Sequence, residues 1–488
     1  MTAIKTQQPK YTLFTGKALL LLIVPIVIES ALSMSLGVID GIMATQAKQG
    51  SGEEILAAIT QVDQVSSLLI QLFSAFGVGG AILTSQFLGA GKTDEANKSA
   101  KQLIVVMFLF SIAIMAICMA LNGPIIRLFF GQITEGTMKY SRQYFLIMSA
   151  SYPFMAIFHA CAALLRAQRK SMNTMLSGII SFILNIIFNA IFIFGFKLEV
   201  IGVALGTLLA RIFPAGFTLF LLSRKDNIVK VRIFEKFRFS WGQLKKILRL
   251  AVPSGVENSL FQLGKIMVIS FISIAVYNIA TGTFDSNTGQ EIILNYQSAA
   301  NAVAYNVNTM SSIVGNGINT SILTVIGQAI GTGDIGQVKF YIKRMLLISY
   351  IGNAACVALI WALSPVLLDI YEVAGETRQI AQSCLNLCLA VQFVTYPLSF
   401  GLPAVLKASS DVKYVMVAAV LSMMIFRVGL CYILTTDKLP MQMGAMGLWI
   451  GMISDWCGRS LLFGLRLMSG RWKKSSGMLK NDVPAEAI

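Results

Sequence analysis

Eleven residues separate two acids, Glu29 and Asp40, inside the otherwise apolar stretch LLLLIVPIVIESALSMSLGVIDGIMAT. In a helix that spacing is about three turns, so both acids fall on one face roughly 16 Å apart. A carboxylate held away from water has a raised pKa and can exchange a proton near neutral pH. With amide and hydroxyl oxygens beside it, the same carboxylate can coordinate a hard cation such as Na⁺. Oxygens of that kind occur elsewhere in apolar sequence. Asn185 and Asn189 stand one helical turn apart in LNIIFNAIFIFG, and Thr207 and Arg211 lie in GVALGTLLAR. Taken alone, the two amides fit either hydrogen bonding between helices or contact with an ion or ligand. Glu257, Lys265 and Arg427 are further charges in apolar runs, and Asp455 and Arg459 form an i, i+4 pair that neutralises itself. The single histidine, His159, reads as a packed, hydrogen-bonded residue or as a proton relay.

These residues need elements that keep them out of water. The chain has 488 residues, 56% hydrophobic against 13% charged, far from the balance of a soluble protein. Apolar runs long enough to cross a hydrocarbon core recur twelve times, near 17–44, 55–88, 98–121, 140–165, 173–196, 200–223, 246–278, 292–330, 340–370, 379–406, 412–434 and 443–468. Backbone in lipid must satisfy its own hydrogen bonds, so these spans are helices. With both termini inside, 28 of the 39 Lys and Arg fall in inner segments, 7 in outer loops and 4 within helices. That asymmetry predicts cytoplasmic termini. It also makes the net charge of +16 a topological feature and disfavours a nucleic-acid partner.

The chain is duplicated. Ser85 to Lys101, SQFLGAGKTDEANKSAK, is matched downstream by GQAIGTGDIGQVKFYIK, pairing Gln86 with Gln328, Gly89 with Gly331 and Gly91 with Gly333 at a constant offset of 242. Pro124 pairs with Pro365 and Arg166 with Lys407 at 241, and VPIVIES around Pro25 with VPSGVEN around Pro253 at 228. The organisation follows: an N-terminal segment over 1–16, polar and mobile or lying on the membrane surface; six helices over 17–223; a basic linker over 224–245; six helices over 246–468; and a polar tail over 469–488. Six is even, so both copies enter the membrane from the same side and are related by an axis along its normal. Two parallel-repeat, pseudo-symmetric six-helix bundles then face each other across a central cleft. The expected fold class is an all-α integral membrane protein of twelve transmembrane helices, and the expected function is secondary transport by rocking of the bundles.

Other classes fit poorly. With one histidine and no HExxH, no catalytic or metal-binding constellation stands out, so no enzyme is expected. The seven cysteines are scattered without paired spacing and serve as small apolar fillers. Each chain contains both bundles, which suits a monomer. The absence of an organelle-targeting segment points to a multi-pass protein of a bacterial inner membrane.

Three blocks together carry a family resemblance: GQAIGTGDIGQVKFYIKR with its N-half partner, LNIIFNAIFIFGF followed by GVALGTLLAR, and MGLWIGMISDWCGRS followed by SGRWKK. In that order, across essentially all twelve helices, they resemble the multidrug and toxic compound extrusion (MATE) family. The resemblance implies cation-coupled export of bulky, amphipathic, often cationic organic compounds. It implies a cation site in the N-half at Asp40, in GVIDGIMAT, with Asn185, Thr207 and the residue four after the asparagine. That last position carries a second acid in the family and is Asn189 here, so a two-carboxylate site has become a one-carboxylate site able to hold Na⁺ or a proton. No organic cofactor is expected, only a coupling ion, H⁺ or Na⁺. In the C-half the helix 7 acid of some relatives falls at Phe261, one turn after Glu257. Their helix 10 acid is missing from VQFVTYPLSFGLPAV, which contains Tyr396. Glu29, Glu257, Phe261, Lys265, Tyr396 and Arg427 are the candidates to line the substrate cleft. Lys265 and Arg427 also leave open a second reading, a flippase or exporter of a lipid-linked, anionic or zwitterionic substrate.

Overall fold

In the computed structural model the described residues are 13–46, 52–131, 133–231, 239–280, 287–435 and 443–476. Within them, the side chains of 36–42, 44–46, 52–53, 266, 269–270, 272–280 and 287–295 lie outside the description. The N-terminal half comprises α1 (Gly16–Gln46), α2 (Gly52–Gly89), α3 (Thr93–Ala120), α4 (Asn122–Phe130), α5 (Glu135–Ala150), α6 (Tyr152–Ala167), α7 (Ser171–Ala190) and α8 (Glu199–Ser223). The C-terminal half comprises α9 (Trp241–Ala280), α10 (Asn287–Ser311), α11 (Ile313–Gly331), α12 (Ile335–Ile370), α13 (Gly375–Tyr396), α14 (Leu402–Ala408), α15 (Val412–Ser422), α16 (Cys431–Thr435), α17 (Gly444–Met468) and α18 (Trp472–Ser475).

The architecture is the all-helical membrane fold expected from the apolar runs. Among the described residues nine helical stretches are long and apolar enough to cross a membrane, and the α5–α6 pair, bent by 45°, makes a tenth. The more polar α9 and α17 complete twelve rods. Several rods are less regular than the hydropathy suggests. The α5–α6 bend falls at Ser151, where Pro153 follows and removes a backbone donor. The rod containing α10 and α11 breaks at Ser312, and π-helical turns occupy Ile191–Gly195, Pro397–Gly401 and Met423–Leu430. Large apolar side chains such as Leu128, Phe220, Ile351, Ile370 and Leu461 are exposed, as a lipid-facing surface requires.

The two halves exchange the first turns of their leading helices. Leu19, Leu22, Ile23 and Ile26 of α1 sit in a C-half core with Ile322 and Val325 of α11, Tyr341 of α12 and Phe463 of α17. Reciprocally, Ile247, Leu250 and Ala251 of α9 sit in the N-half core with Phe76, Ile82 and Leu103. The bundle boundaries at 17 and 246 therefore mark the sequence repeat, while the packing crosses over at both places. The ends of the chain join in as well. Phe14 donates its backbone N–H to Tyr341 Oη at 2.7 Å, and Trp472, in the stretch read as a polar tail, is buried in the same C-half core. The linker is pinned to the N-half: Val229 N–H donates to Gln168 Oε1, Lys230 N–H to Asn97 Oδ1 and Ser240 N–H to Gln102 Oε1. Its residues 241–245 are the first turns of α9.

The duplicated loops close one end of the molecule. A side-chain carbon on Gly89 would collide with the Gln328 backbone, and one on Gly331 with the Gln86 carbonyl and Gly89. Only glycine allows backbones to approach so closely, and in lipid such contact is a main source of helix association. The paired glutamines then cross the interface. Gln86 Nε2 donates to the Ala408 carbonyl at 2.8 Å, and Gln328 Nε2 to the Ala167 carbonyl at 2.7 Å. Arg169 donates to Gln328 Oε1 at 2.5 and 2.9 Å, while its counterpart 241 residues on, Ser410, bonds Gln86 at 3.2 Å. Arg169 and Ser410 share a left-handed backbone, with φ of 66° and 64°, so the two turns repeat in conformation as well as position.

Overpacking this contact should weaken the closed end. Gly89→Val or Gly331→Val is expected to cost about 2 kcal/mol, seen as a lower unfolding midpoint of the detergent-purified protein. Gly216→Ala, in a helix with open space around the added carbon, should leave the midpoint unchanged. Equal midpoints for all three variants would contradict the close-approach account.

Candidate functional site

The N-half candidates form a short polar chain in an apolar setting. On α7, Asn189 Nδ2 donates to Asn185 Oδ1 at 3.2 Å, and Asn185 Nδ2 donates to Thr207 Oγ1 on α8 at 3.3 Å. All three are buried. Gly206 makes the arrangement possible, because a side-chain carbon there would overlap the Asn189 amide. The side chain of Asp40 lies outside the described residues. Its backbone is placed by the helices: Thr174 Oγ1 of α7 donates to Glu29 Oε2 of α1 at 2.8 Å. Eleven residues further along these neighbouring helices are position 40 on α1 and Asn185 on α7. For helices running side by side, equal rise would carry both about 16 Å beyond the Glu29 contact.

Two further candidates belong to a matched pair of ion pairs. Glu29 accepts from Arg166 Nη1 at 2.9 and 3.2 Å, and Glu257 accepts from Lys407 Nζ at 3.0 Å with its other oxygen at 2.9 Å. The repeat relates the two pairs, Glu29 to Glu257 and Arg166 to Lys407. Both are largely removed from solvent. Each lies just beyond the exchanged turns, so each holds its leading helix to the rest of its own half.

The remaining candidates line two adjoining cavities. One, of about 360 Å³, is bounded by Gln71 and Ser74 of α2, Glu257 and Phe261 of α9, Asn316 and Thr320 of α11, Lys407 of α14 and Arg459 of α17. The other, of about 460 Å³, is bounded by Phe261, Lys265, Tyr396, Phe400, Arg427 and Trp456, with amides from Asn258 and Asn316. Gln71, Asn258, Phe261, Asn316 and Phe400 line both. Tyr396 Oη donates to Asn316 Oδ1 at 3.0 Å and its ring stacks on Phe400 at 4.6 Å. Asp455 accepts from Arg459 Nε at 2.9 Å, as the i, i+4 spacing predicts, and also lies 3.3 Å from Arg427 Nε. Glu29 lines neither cavity, while its partner Arg166 borders a third, small pocket between the halves with His159 and Thr324.

Several wall residues were not singled out from the sequence. Asn258, Asn316 and Asn319 interrupt apolar helices, and that interruption is the signal that marks them. Trp456 carried no signal beyond its place in the block MGLWIGMISDWCGRS.

A family model, MatE, matches the chain at residues 25–191 and again at 266–433. Its two matches are displaced by the repeat offset. An uncharacterized transporter of Bacillus subtilis, YisQ, is 25% identical over 456 residues, covering 92% of this chain and 93% of the relative. A probable multidrug resistance protein, NorM, of Thermotoga maritima is 24% identical over 483 residues, covering 96% and 95%. Among solved structures, an outward-facing conformation of a multidrug resistance MATE family transporter of the MOP superfamily superposes with a TM-score of 0.81 at 20% identity, covering 95% of this chain and 97% of that one.

The ion-pair geometry predicts a non-additive response. Glu257→Gln leaves a part-buried ammonium unpaired and should cost about 2 kcal/mol, whereas Glu257→Gln with Lys407→Met should recover most of that loss. Denaturation of the two single variants and the double variant checks this, and simple additivity would exclude a coupled pair.

Proposed function

The chain belongs to the MatE family of transporters, and from that membership we propose that it exports amphipathic organic compounds in exchange for H⁺ or Na⁺ by alternating access. The observation that carries the reading is the pair of cavities where the halves meet, above an end sealed by the duplicated loops. A cleft open at one end and clasped at the other is what alternating access requires. The basic residues beside the clasp, Lys92, Lys101, Lys339 and Lys343, support placing that end inside, with the cleft open to the outside. With the clasped end inside, the termini are cytoplasmic and the basic loops face the inner surface of the cell membrane.

The coupling ion is assigned to Asp40 with the Asn189, Asn185 and Thr207 chain beside it. One carboxylate with amide and hydroxyl oxygens suits Na⁺, and the carboxylate alone suits a proton. Ion and substrate must favour opposite states, since only differential affinity moves an equilibrium. Ion entering from outside to Asp40 stabilises one arrangement of α1 against α7, and substrate release outward leaves the cleft ready to turn. The two cavities, walled by aromatic rings and amides, accept bulky molecules without demanding one shape. Relatives named as multidrug resistance and multidrug export proteins support a drug exporter over a lipid-linked flippase.

Proteoliposomes loaded with a fluorescent organic cation test the proposal under separately imposed H⁺ and Na⁺ gradients. Gradient-driven flux that Asp40→Asn abolishes is expected, with the effective gradient naming the ion. Flux undiminished by Asp40→Asn would remove this residue from coupling. Absence of flux with either gradient, from folded protein, would overturn cation export.

A further inference from the structure

Among the described residues, the larger cavity is lined by more positive than negative charge. Lys265 and Arg427 line it, and no carboxylate among its described lining residues does. Behind the wall, Asp455 is shared between two guanidinium groups, bonded to Arg459 and close to Arg427. One anion against two cations leaves that trio with a net positive charge. Arg427 is only 4% exposed, and its Nε, 3.3 Å from Asp455, makes no hydrogen bond. A buried guanidinium that shares a single carboxylate with Arg459 is only partly neutralised, and an incoming anion would relieve that excess charge. Lys265 donates to a neutral acceptor, Tyr305 Oη, at 3.1 Å.

The cavity is also aromatic. The Phe261 ring centre lies 4.7 Å from Arg427 Cζ, 4.5 Å from Arg459 Cζ and 5.1 Å from Lys265 Nζ. Its π face steadies the three charges without neutralising them. Across the space, Trp456 stands edge-on to Phe400 at 5.7 Å and to Tyr396 at 6.3 Å. A volume of about 460 Å³ suits a small fused-ring molecule, and offset or edge contacts with these rings would hold it.

We propose that this C-half cavity binds an aromatic carboxylate, with the anionic group at Lys265 and Arg427 and the ring among Phe261, Phe400 and Trp456. The inference rests on the export reading and deepens it: exported compounds then include aryl carboxylates, whether the acid stands alone or is one end of a zwitterion.

Calorimetric titration of the purified full chain in lipid nanodiscs, with 2-naphthoate and 2-naphthylmethylammonium as matched probes, tests it. Naphthoate should bind and the ammonium should not displace it. Lys265→Gln should weaken naphthoate by about tenfold with no change in unfolding midpoint, and Arg427→Gln should do the same or more. Equal or tighter binding of the ammonium, or naphthoate affinity unchanged in Lys265→Gln, overturns the proposal. Failure of the two readings is distinguishable. Gradient-driven dye flux without naphthoate binding removes this site and leaves export standing. Naphthoate binding sensitive to Lys265→Gln, in protein that drives no flux, supports the site and removes export.

Discussion

Two glycine contacts, Gly89 against Gln328 and Gly331 against Gln86, decide how closely the halves approach. Lipid tails are as apolar as leucine, so burying side chains between helices gains little over leaving them in the bilayer. What draws the halves together is backbone approach and polar bonds that have no better partner elsewhere. The duplicated loops supply both. The glycines bring main chains into contact, and the glutamines use the proximity to reach carbonyls on the opposite half. Such a joint is strong when seated, and its two glutamine-to-carbonyl bonds are symmetry mates.

From that joint the rest of the geometry follows upward. The first turns of α1 and α9 are exchanged between the cores, so neither half can turn without carrying part of the other's leading helix. The Glu29–Arg166 and Glu257–Lys407 pairs sit where each helix returns to its own half. Beyond them, α1 runs beside α7 to the asparagine chain, and α9 passes the two cavities. On the proposed reading, an ion bound at Asp40 acts on the same helix whose lower turns are held in the opposite core. That gives one continuous helix, with Pro25 inside it, running from the level of the ion site to the exchanged core.

Much of this was legible in the sequence. Apolar runs placed twelve rods because only helices satisfy their backbone in lipid, and the 242-residue offset aligned the glutamines and glycines that later proved to meet. The exchange of α1 and α9 was not legible. LLLLIVPIVI is apolar on every face, so its pattern cannot say which core receives it. The partners of Glu29 and Glu257 were hidden by distance, 137 and 150 residues away along the chain. Arg166 and Lys407 were aligned as repeat mates, yet nothing in spacing joined them to the acids. Likewise Asn258, Asn316 and Asn319 were visible as amides in apolar helices without any indication that they share a wall. The Asn189–Asn185–Thr207 chain was half visible: the i, i+4 step put the asparagines on one face, the family resemblance alone named the threonine, and the packing of α8 against α7 supplied the contact between them.

The clasp as the inner gate is the central claim, and double electron–electron resonance between spin labels on Lys92→Cys and Thr332→Cys, with exposed Cys457 replaced, tests it most directly. The account predicts a short distance in the resting protein and a second, longer population when substrate is added from the clasped side. That longer population should grow when Gln86→Ala and Gln328→Ala are combined. A single unchanged distance under every gradient, with substrate and in the double variant, while export proceeds at the wild-type rate, would contradict it.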